Sequence, residues 1–445
     1  MNVCPTQAIR IRDGKAELTD NYCVDCGKCY RACPVGAIIV EQDDFNQIFR
    51  YKHRIALIPS TLMGQFPADV SLIQVSSVLL DLGFTDVYEV EHGVEILKDQ
   101  MVAYVNNHKE HKPLMSTFCP AIVRLIQVRF PTLTENLILL KAPLDVAAAY
   151  YNQKLIDQGN EPDEIGIFYI TPCAAKIAAV KSPVGLEKSP ITGVINMDFI
   201  FNKVYTSVKK GFVGKNTCQI PQLDHLKDSG VQWSLTNGEA ECMPGKTMAI
   251  DEINNVIEFL EQLENEEKHD MDFLELRACD ESCAGGILTS TNRFYTVERL
   301  KKRAKFARKQ EKKNNPDYAI AGPIKNYAPY LESNMVIGKI LPRSKDKLDE
   351  DIAQAMVKMK QVHEIMDRLP YVDCGLCGSP TCSALAEDIV QGRAEIRQCI
   401  YVQKQMEQKG SIESKESIEI MKRIWGKDKF EEKEVSKKSG INYES

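Results

Sequence analysis

IGIFYITPCAAKIAAV occupies residues 165–180. Its first seven residues form a short apolar run of the kind that fills a buried strand, and the last seven follow a helical pattern. Cys173 lies at the junction. The same order recurs in STFCPAIVRLIQ (116–127), where Cys119 follows an extended segment and precedes a helical pattern. Element ends are where sites are usually built, because a rigid scaffold there presents side chains to a cleft.

Working outward, RIALIPS (54–60) reads as another short buried strand. Residues 70–82 read as a helix, followed by a turn at Gly83 and the strand DVYEV (86–90). Residues 251–264 place Ile253, Val256, Ile257, Leu260 and Leu263 on one helical face. Strands alternating with helices imply an α/β fold with a sheet covered on its faces. At 445 residues and 44% apolar content the chain can bury a large core over several domains. No apolar run approaches the roughly 20 residues of a membrane span, and the first residues lack the pattern of a secretion signal, so the cytoplasm is the expected compartment. A net charge of -6 argues against nucleic acid as a partner. The basic stretch 301–313 is expected to be a solvated helix face.

Fifteen cysteines are the informative quantity. In a reducing compartment clustered cysteines point to metal or redox centres. NYCVDCGKCYRACPVGAI (21–38) is C-x2-C-x2-C-x3-C-P, whose tight spacing lets Cys23, Cys26 and Cys29 grip one iron-sulfur cube. Cys33, before Pro34, belongs by the same pattern to the other cluster of a two-cluster ferredoxin. The fourth ligand of the first cube should come from upstream, and Cys4, followed by Pro5, has that context. Cys33 is then left without its cluster. Met1, Asn2 and Val3 would be the spacer after a missing cysteine, so the reading frame is expected to begin at an internal methionine. A natural one-cluster domain with a free Cys33 is the other reading.

DCGLCGSPTCSALAEDIVQGRAEIRQC (373–399) gives C-x2-C-x4-C-x16-C through Cys374, Cys377, Cys382 and Cys399. An amphipathic helix over 383–398 is expected to carry Cys399 back to the other three. Four thiolates also suit tetrahedral zinc. The Gly/Ser/Pro loop resembles the small iron-sulfur domain found beside redox proteins. Cys218 and Cys242 stand alone and are expected to be expendable.

Three stretches, 116–127, 170–180 and LELRACDESCAGGIL (274–288), resemble in order and context the segments around the active-site cluster of the iron-only, or [FeFe], hydrogenases. The resemblance covers about residues 50–310. It implies an α/β hydrogenase-like core, two sheet-containing lobes around a buried cluster, flanked by a ferredoxin-like α+β domain and a small helical Fe-S domain. The implied boundaries are 1–45 for the ferredoxin-like part, 50–320 for the core, 321–360 for a linker, 361–405 for the C-terminal 4Fe-4S domain and 406–445 for a charged tail. Carried over by position, Cys119, Cys173, Cys279 and Cys283 would hold a [4Fe-4S] cube, the third in this chain. Cys283 would bridge to the diiron unit of the H-cluster, with its carbonyl and cyanide ligands. Lys176 would sit beside a cyanide, Glu275 matches the third segment's glutamate, and Gly285 and Gly286 would let backbone approach the cluster. The implied partners are H2 and protons, a ferredoxin or other redox protein, and the diiron maturation machinery. The tail is a candidate for a signalling contact.

Departures accompany the matches. Phe118 stands where hydrogen-producing members carry a cysteine that donates protons, and Ile138 in NLILLKAPLD (136–145) replaces a serine of that path. Thr171 and Arg277 replace two methionines that pack on the diiron unit, and Ala179 replaces a glutamate. General acid transfer needs a titratable group within reach. An intact cube set with a broken proton path resembles the family's hydrogen-sensing branches. Two other readings stay open: a scaffold or electron-transfer protein that keeps its cubes without diiron, and a regulatory protein with zinc at its ends. For the opening, the DNA upstream of Met1 is expected to encode C-x2-C-x2-C in frame, and sequencing that shows a stop codon directly upstream removes the explanation.

Overall fold

The computed structural model describes residues 2–210, 225–265, 270–313, 322–343, 348, 349 and 351–431. Cys218 and residues 432–445 of the expected tail lie outside them. The chain divides into two units, Met1–Cys23 with Ser344–Ser445, and Val24–Arg343.

In the first unit, β1 (Ile9–Arg12) and β2 (Lys15–Leu18) form an antiparallel hairpin. Its turn residues Asp13 and Gly14 have φ of 48° and 73°, the left-handed pair that matches strand twist in a two-residue hairpin. The hairpin is held by residues far along the chain. Ile11 N–H donates to the Gly378 carbonyl at 2.8 Å. Arg10 Nε, Arg12 Nη2 and Ser379 Oγ all donate to Asp388 Oδ2, at 2.6, 2.9 and 3.0 Å. Asp388 is 2% exposed, so this carboxylate is a buried hub.

Asp388 lies on the helix Cys382–Val390. The expected helix over 383–398 stops there. Gly392 takes φ 72°, and Arg393 N–H returns to the Asp388 carbonyl at 2.7 Å, a left-handed glycine stop that satisfies the last carbonyls. A short turn, Ile396–Gln398, then leads to Cys399. Two more helices follow from amphipathic spacing. Ile352–Met366 starts in the segment expected as linker, runs across the expected boundary at 360 and is capped by the Asp351 side chain. Ser414–Trp425 lies in the expected tail, where it buries Ile420 and Ile424, and Trp425 Nε1 donates to the Leu376 carbonyl at 2.8 Å.

The second unit contains two parallel sheets. β3 (His53–Ile58), β4 (Asp86–Glu89), β6 (Ile165–Thr171) and β7 (Gly193–Asn196) are ordered β4-β3-β6-β7, while β5 (Leu114–Met115), β8 (Thr247–Ile250) and β9 (Phe273–Leu276) are ordered β5-β9-β8. All seven residues of β6 are buried, which is why its run is continuously apolar rather than alternating. The helix Leu72–Asp81 starts on a capping box between Ser71 and Gln74. Ile253–Asn265 buries the five apolar residues its spacing predicts. The basic run lies on the helix Arg293–Lys312, where Lys301, Lys302, Lys305 and Lys309 are exposed. Residues 322–343 belong to this unit and pair through the Leu140–Val336 bridge.

Asp388→Ala removes an ion-pair partner from three arginines, Arg10, Arg12 and Arg393, and an acceptor from Ser379 at once. Removing one partner of a buried ion pair costs about 3 kcal/mol, so the denaturant midpoint of the cluster-loaded chain should fall clearly, while Asp388→Asn, which keeps one acceptor, should fall less.

Candidate cluster site

Both sheets of Val24–Arg343 deliver cysteines from the carboxyl ends of parallel strands, the end at which open α/β sheets bind ligands. After β6, Cys173 caps the helix Ala174–Lys181, and its N–H donates to Thr171 Oγ1 at 3.1 Å. After β5, Cys119 caps the helix Pro120–Arg129, whose first-turn proline suits a helix start. After β9, Cys279 enters a tight loop that brings Cys283 into the turn Ser282–Gly285. That loop has two left-handed residues, Glu281 at φ 59° and Ser282 at φ 52°. Asp251 Oδ2 holds it by accepting from Glu281 N–H at 3.0 Å and Thr236 Oγ1 at 2.7 Å. A Cβ on Gly285 would lie 1.8 Å from the Asp280 carbonyl oxygen, and one on Gly286 2.6 Å from that of Pro172. The close approach these glycines serve here is backbone to backbone.

The four thiols converge. None is in a disulfide. Burial pushes Cys279 well above its ordinary pKa, and Cys173, Cys119 and Cys283 push it further. Burial and Cys119 push Cys173 up to about 12. Buried thiols that repel one another release their protons only to a strongly cationic centre, and four of them match the donor set of a [4Fe-4S] cube.

Lys176 sits one helical turn beyond Cys173 and is 8% exposed, not a surface lysine. Its Nζ lies 4.2 Å from the centroid of the Phe118 ring and 5.9 Å from that of Tyr169. Burial works to lower its pKa, but Tyr169, Cys283 and Cys173 outweigh burial and raise it, so the side chain is an ammonium. Arg277 is equally buried. Its Nη2 pairs with Glu239 Oε2 at 2.9 Å and donates to the Trp233 carbonyl at 3.2 Å, and its Nε lies 3.3 Å from Glu275 Oε1. The guanidinium carbon stands 4.0 Å from the Phe118 centroid. Phe118 is thus packed against two buried cations. Glu275 is fully buried and its Oε2 accepts from the N–H groups of Glu239 and Ala240, both at 2.9 Å. Burial lifts the Glu239 carboxyl to about 7, while Arg277 pulls it down. Ser116 Oγ donates to Glu239 Oε2 at 2.6 Å.

Tyr169 Oη and Arg277 Nη1 are buried without a hydrogen-bond partner. Cys283 feels both Lys176 and Arg277, and Tyr169 feels Lys176 and Cys283. Orphaned donors around one thiol fit an acceptor-rich, anionic group held at Cys283, as the cyanide-bearing diiron unit is. Beside them, a cavity of about 100 Å³ is lined by Phe118, Leu140, Ala142, Asp145, Lys176 and Val180. Burial lifts Asp145 to about 6 against the pull of Lys141. Sequence reasoning missed Glu239, Ser116, Tyr169 and Asp145. Glu239 sits in an irregular stretch with no motif, and Tyr169 was read only as part of an apolar strand.

The ferredoxin-like cysteines fall in both units: Cys4 and Cys23 in the first, Cys26, Cys29 and Cys33 in the second. Cys4 Sγ accepts from Ala8 N–H at 3.3 Å and Cys33 Sγ from Ala37 N–H at 3.2 Å, so the two Cys-Pro turns repeat one geometry. The Ala37 N–H, with those of Val35, Ile38 and Gly36, lowers the Cys33 pKa. Cys26 packs on the same core as Cys119 and Cys173 and adds to the pKa rise of Cys279. In the first unit, burial and then Cys399, Cys374 and Cys382 push Cys377 up to about 11, so these four thiols lie close enough to act on one another. Cys242 is partly buried, with its pKa raised by burial.

Residues 52–195 match the iron only hydrogenase large subunit, C-terminal domain. Residues 17–39 match a 4Fe-4S binding domain and 369–401 a putative Fe-S cluster domain. Over these stretches, which make up less than half of the chain, it resembles iron-only hydrogenases and iron-sulfur cluster domains. The first match ends before Cys279 and Cys283, which rest on the third sequence stretch and on their convergence with Cys119 and Cys173. Among curated relatives, an uncharacterized ferredoxin of Methanocaldococcus jannaschii is 44% identical over 46 residues, covering 10% of this chain and 28% of that one. The NADP-reducing hydrogenase subunit HndD of Solidesulfovibrio fructosivorans is 22% identical over 184 residues, covering 36% and 31%. The matched stretches thus span less than a third of either relative. Among solved structures, a variant of [FeFe]-hydrogenase HydA1 from Chlamydomonas reinhardtii aligns with TM-score 0.47 at 13% identity, over 65% of this chain and 94% of that one. No helix among the described residues is long and apolar enough to cross a membrane.

Cys279→Ala and Cys382→Ala should each remove about four iron and four acid-labile sulfide per chain, one cube's content. Cys242→Ala should remove none. Anaerobically prepared protein is expected to hold iron at these sites, and stoichiometric zinc by elemental analysis would overturn the assignment.

Proposed function

We propose that this protein binds hydrogen, or interconverts it slowly with protons and electrons, and serves as a hydrogen sensor or regulatory hydrogenase. The observation that carries the reading is Phe118: an apolar ring, 7% exposed, standing where a proton-donating thiol would be, with Lys176 and Arg277 packed against it. A phenyl group cannot accept or release a proton. Cys119, Cys173, Cys279 and Cys283 would hold the cube, and Lys176, Arg277 and Tyr169 would face the diiron unit. When bound, that unit supplies an open iron position at which hydrogen is bound and split. Lys176 orients it by charge. Phe118 and Ile138, 1% exposed, keep the usual proton path dry and closed. Cubes held by these cysteines would carry the electrons, and Cys26 packs on the same core as Cys119 and Cys173. The external partner is a ferredoxin or another redox protein, and diiron loading requires the maturation machinery. A scaffold that keeps its cubes without diiron would leave the Lys176 ammonium buried with no anionic ligand to orient.

A pKa-matched relay group typically contributes about 10²–10⁴-fold to a rate. Phe118→Cys should therefore raise dye-linked hydrogen evolution at equal diiron occupancy, and Phe118→Cys with Ile138→Ser should raise it further. A wild type already as fast as relay-complete relatives would mean that protons bypass Phe118, and the sensory reading would lose its main support.

A further inference from the structure

Resting on that reading, we propose that Arg277 is a second cationic anchor for the group held at Cys283: a positioning residue whose Nη1 donates to an acceptor atom of that group, beside Lys176. The guanidinium is 1% exposed. Its Nε and Nη2 are committed to Glu275, Glu239 and the Trp233 carbonyl, which fixes the plane of the fork. Nη1 alone has no partner. A buried donor left unmade is costly, and two acids holding the rest of the fork is an expensive way to build a mere filler. Arg277 and Lys176 both act on the Cys283 thiol, and both stand against the Phe118 ring, at 4.0 and 4.2 Å from its centroid. Both cations thus pack on one ring and lie within electrostatic reach of one sulfur. A thioether, the side chain the family pattern has at position 277, offers no donor there. The chain thus favours a ligand with at least two acceptor atoms and net negative charge, and it withdraws electron density from that ligand more than a single lysine would.

The test is infrared spectroscopy of the full chain after loading with the diiron unit, comparing wild type, Arg277→Met, Arg277→Lys and the double variant Arg277→Met with Glu239→Gln. The double variant keeps the fold testable, because it does not leave Glu239 as an uncompensated buried acid. Circular dichroism and cube iron content establish folding for each. Cyanide bands that move by several wavenumbers in Arg277→Met and in the double variant, and by less in Arg277→Lys, support the proposal. Bands at the wild-type positions in folded Arg277→Met or the folded double variant overturn it and leave the hydrogen-binding reading standing, since a purely structural arginine would not shift them. Wild type that acquires no cyanide bands overturns both.

Discussion

Four sulfurs that repel one another, buried at the meeting of two parallel sheets, set the conditions for everything around them. Burial and neighbouring thiols lift Cys173, Cys279 and Cys283 above the ordinary thiol pKa, so the pocket is uphill until positive charge enters it. A cube held there would supply most of that charge, and Lys176 and Arg277 add to it. The arginine in turn needs Glu239 and Glu275, and Glu239 needs Ser116. Each ion is tolerated because the next one is within hydrogen-bond reach, which is how charge survives in a dry interior. The sheets matter because strand ends are the stiff points from which four ligands can be aimed at one centre.

The elements that were legible in the sequence are those whose signal is local. The continuous apolar run of β6, the helix over 253–265 and the placement of Cys119 and Cys173 at strand-to-helix junctions all follow from periodicity. Cys279 and Cys283 were placed by resemblance, and the structure brings them to the same point. The helix ending at Val390 was overrun because its apolar spacing continues to Ile396, and only Gly392 in the left-handed region shows where it stops. Glu239 was invisible. Its role comes from facing Arg277 across 38 residues of chain, and no periodicity reports that. The helix Ser414–Trp425 was hidden by composition, since a segment rich in Lys, Glu and Ser reads as solvated until Ile420 and Ile424 are seen to bury.

Phe118 shows how one substitution changes several terms together. It offers no titratable group, fills volume with apolar carbon, and presents its ring to two cations, each cation-aromatic contact being worth up to about 2 kcal/mol when desolvated. A polar residue of the same size would have competed with the cluster's ligands for Lys176. The ring instead leaves the ammonium free to act on Cys283.

The β1–β2 hairpin is tied to Asp388, 378 residues later in the case of Arg10. Ribosomes add roughly 5–20 residues per second, so the first strands wait tens of seconds for the carboxylate that holds them. Until then Cys4 and Cys23, which belong to the same unit, have no finished scaffold. The scaffold around these two thiols is therefore complete only once the far end of the chain has been made.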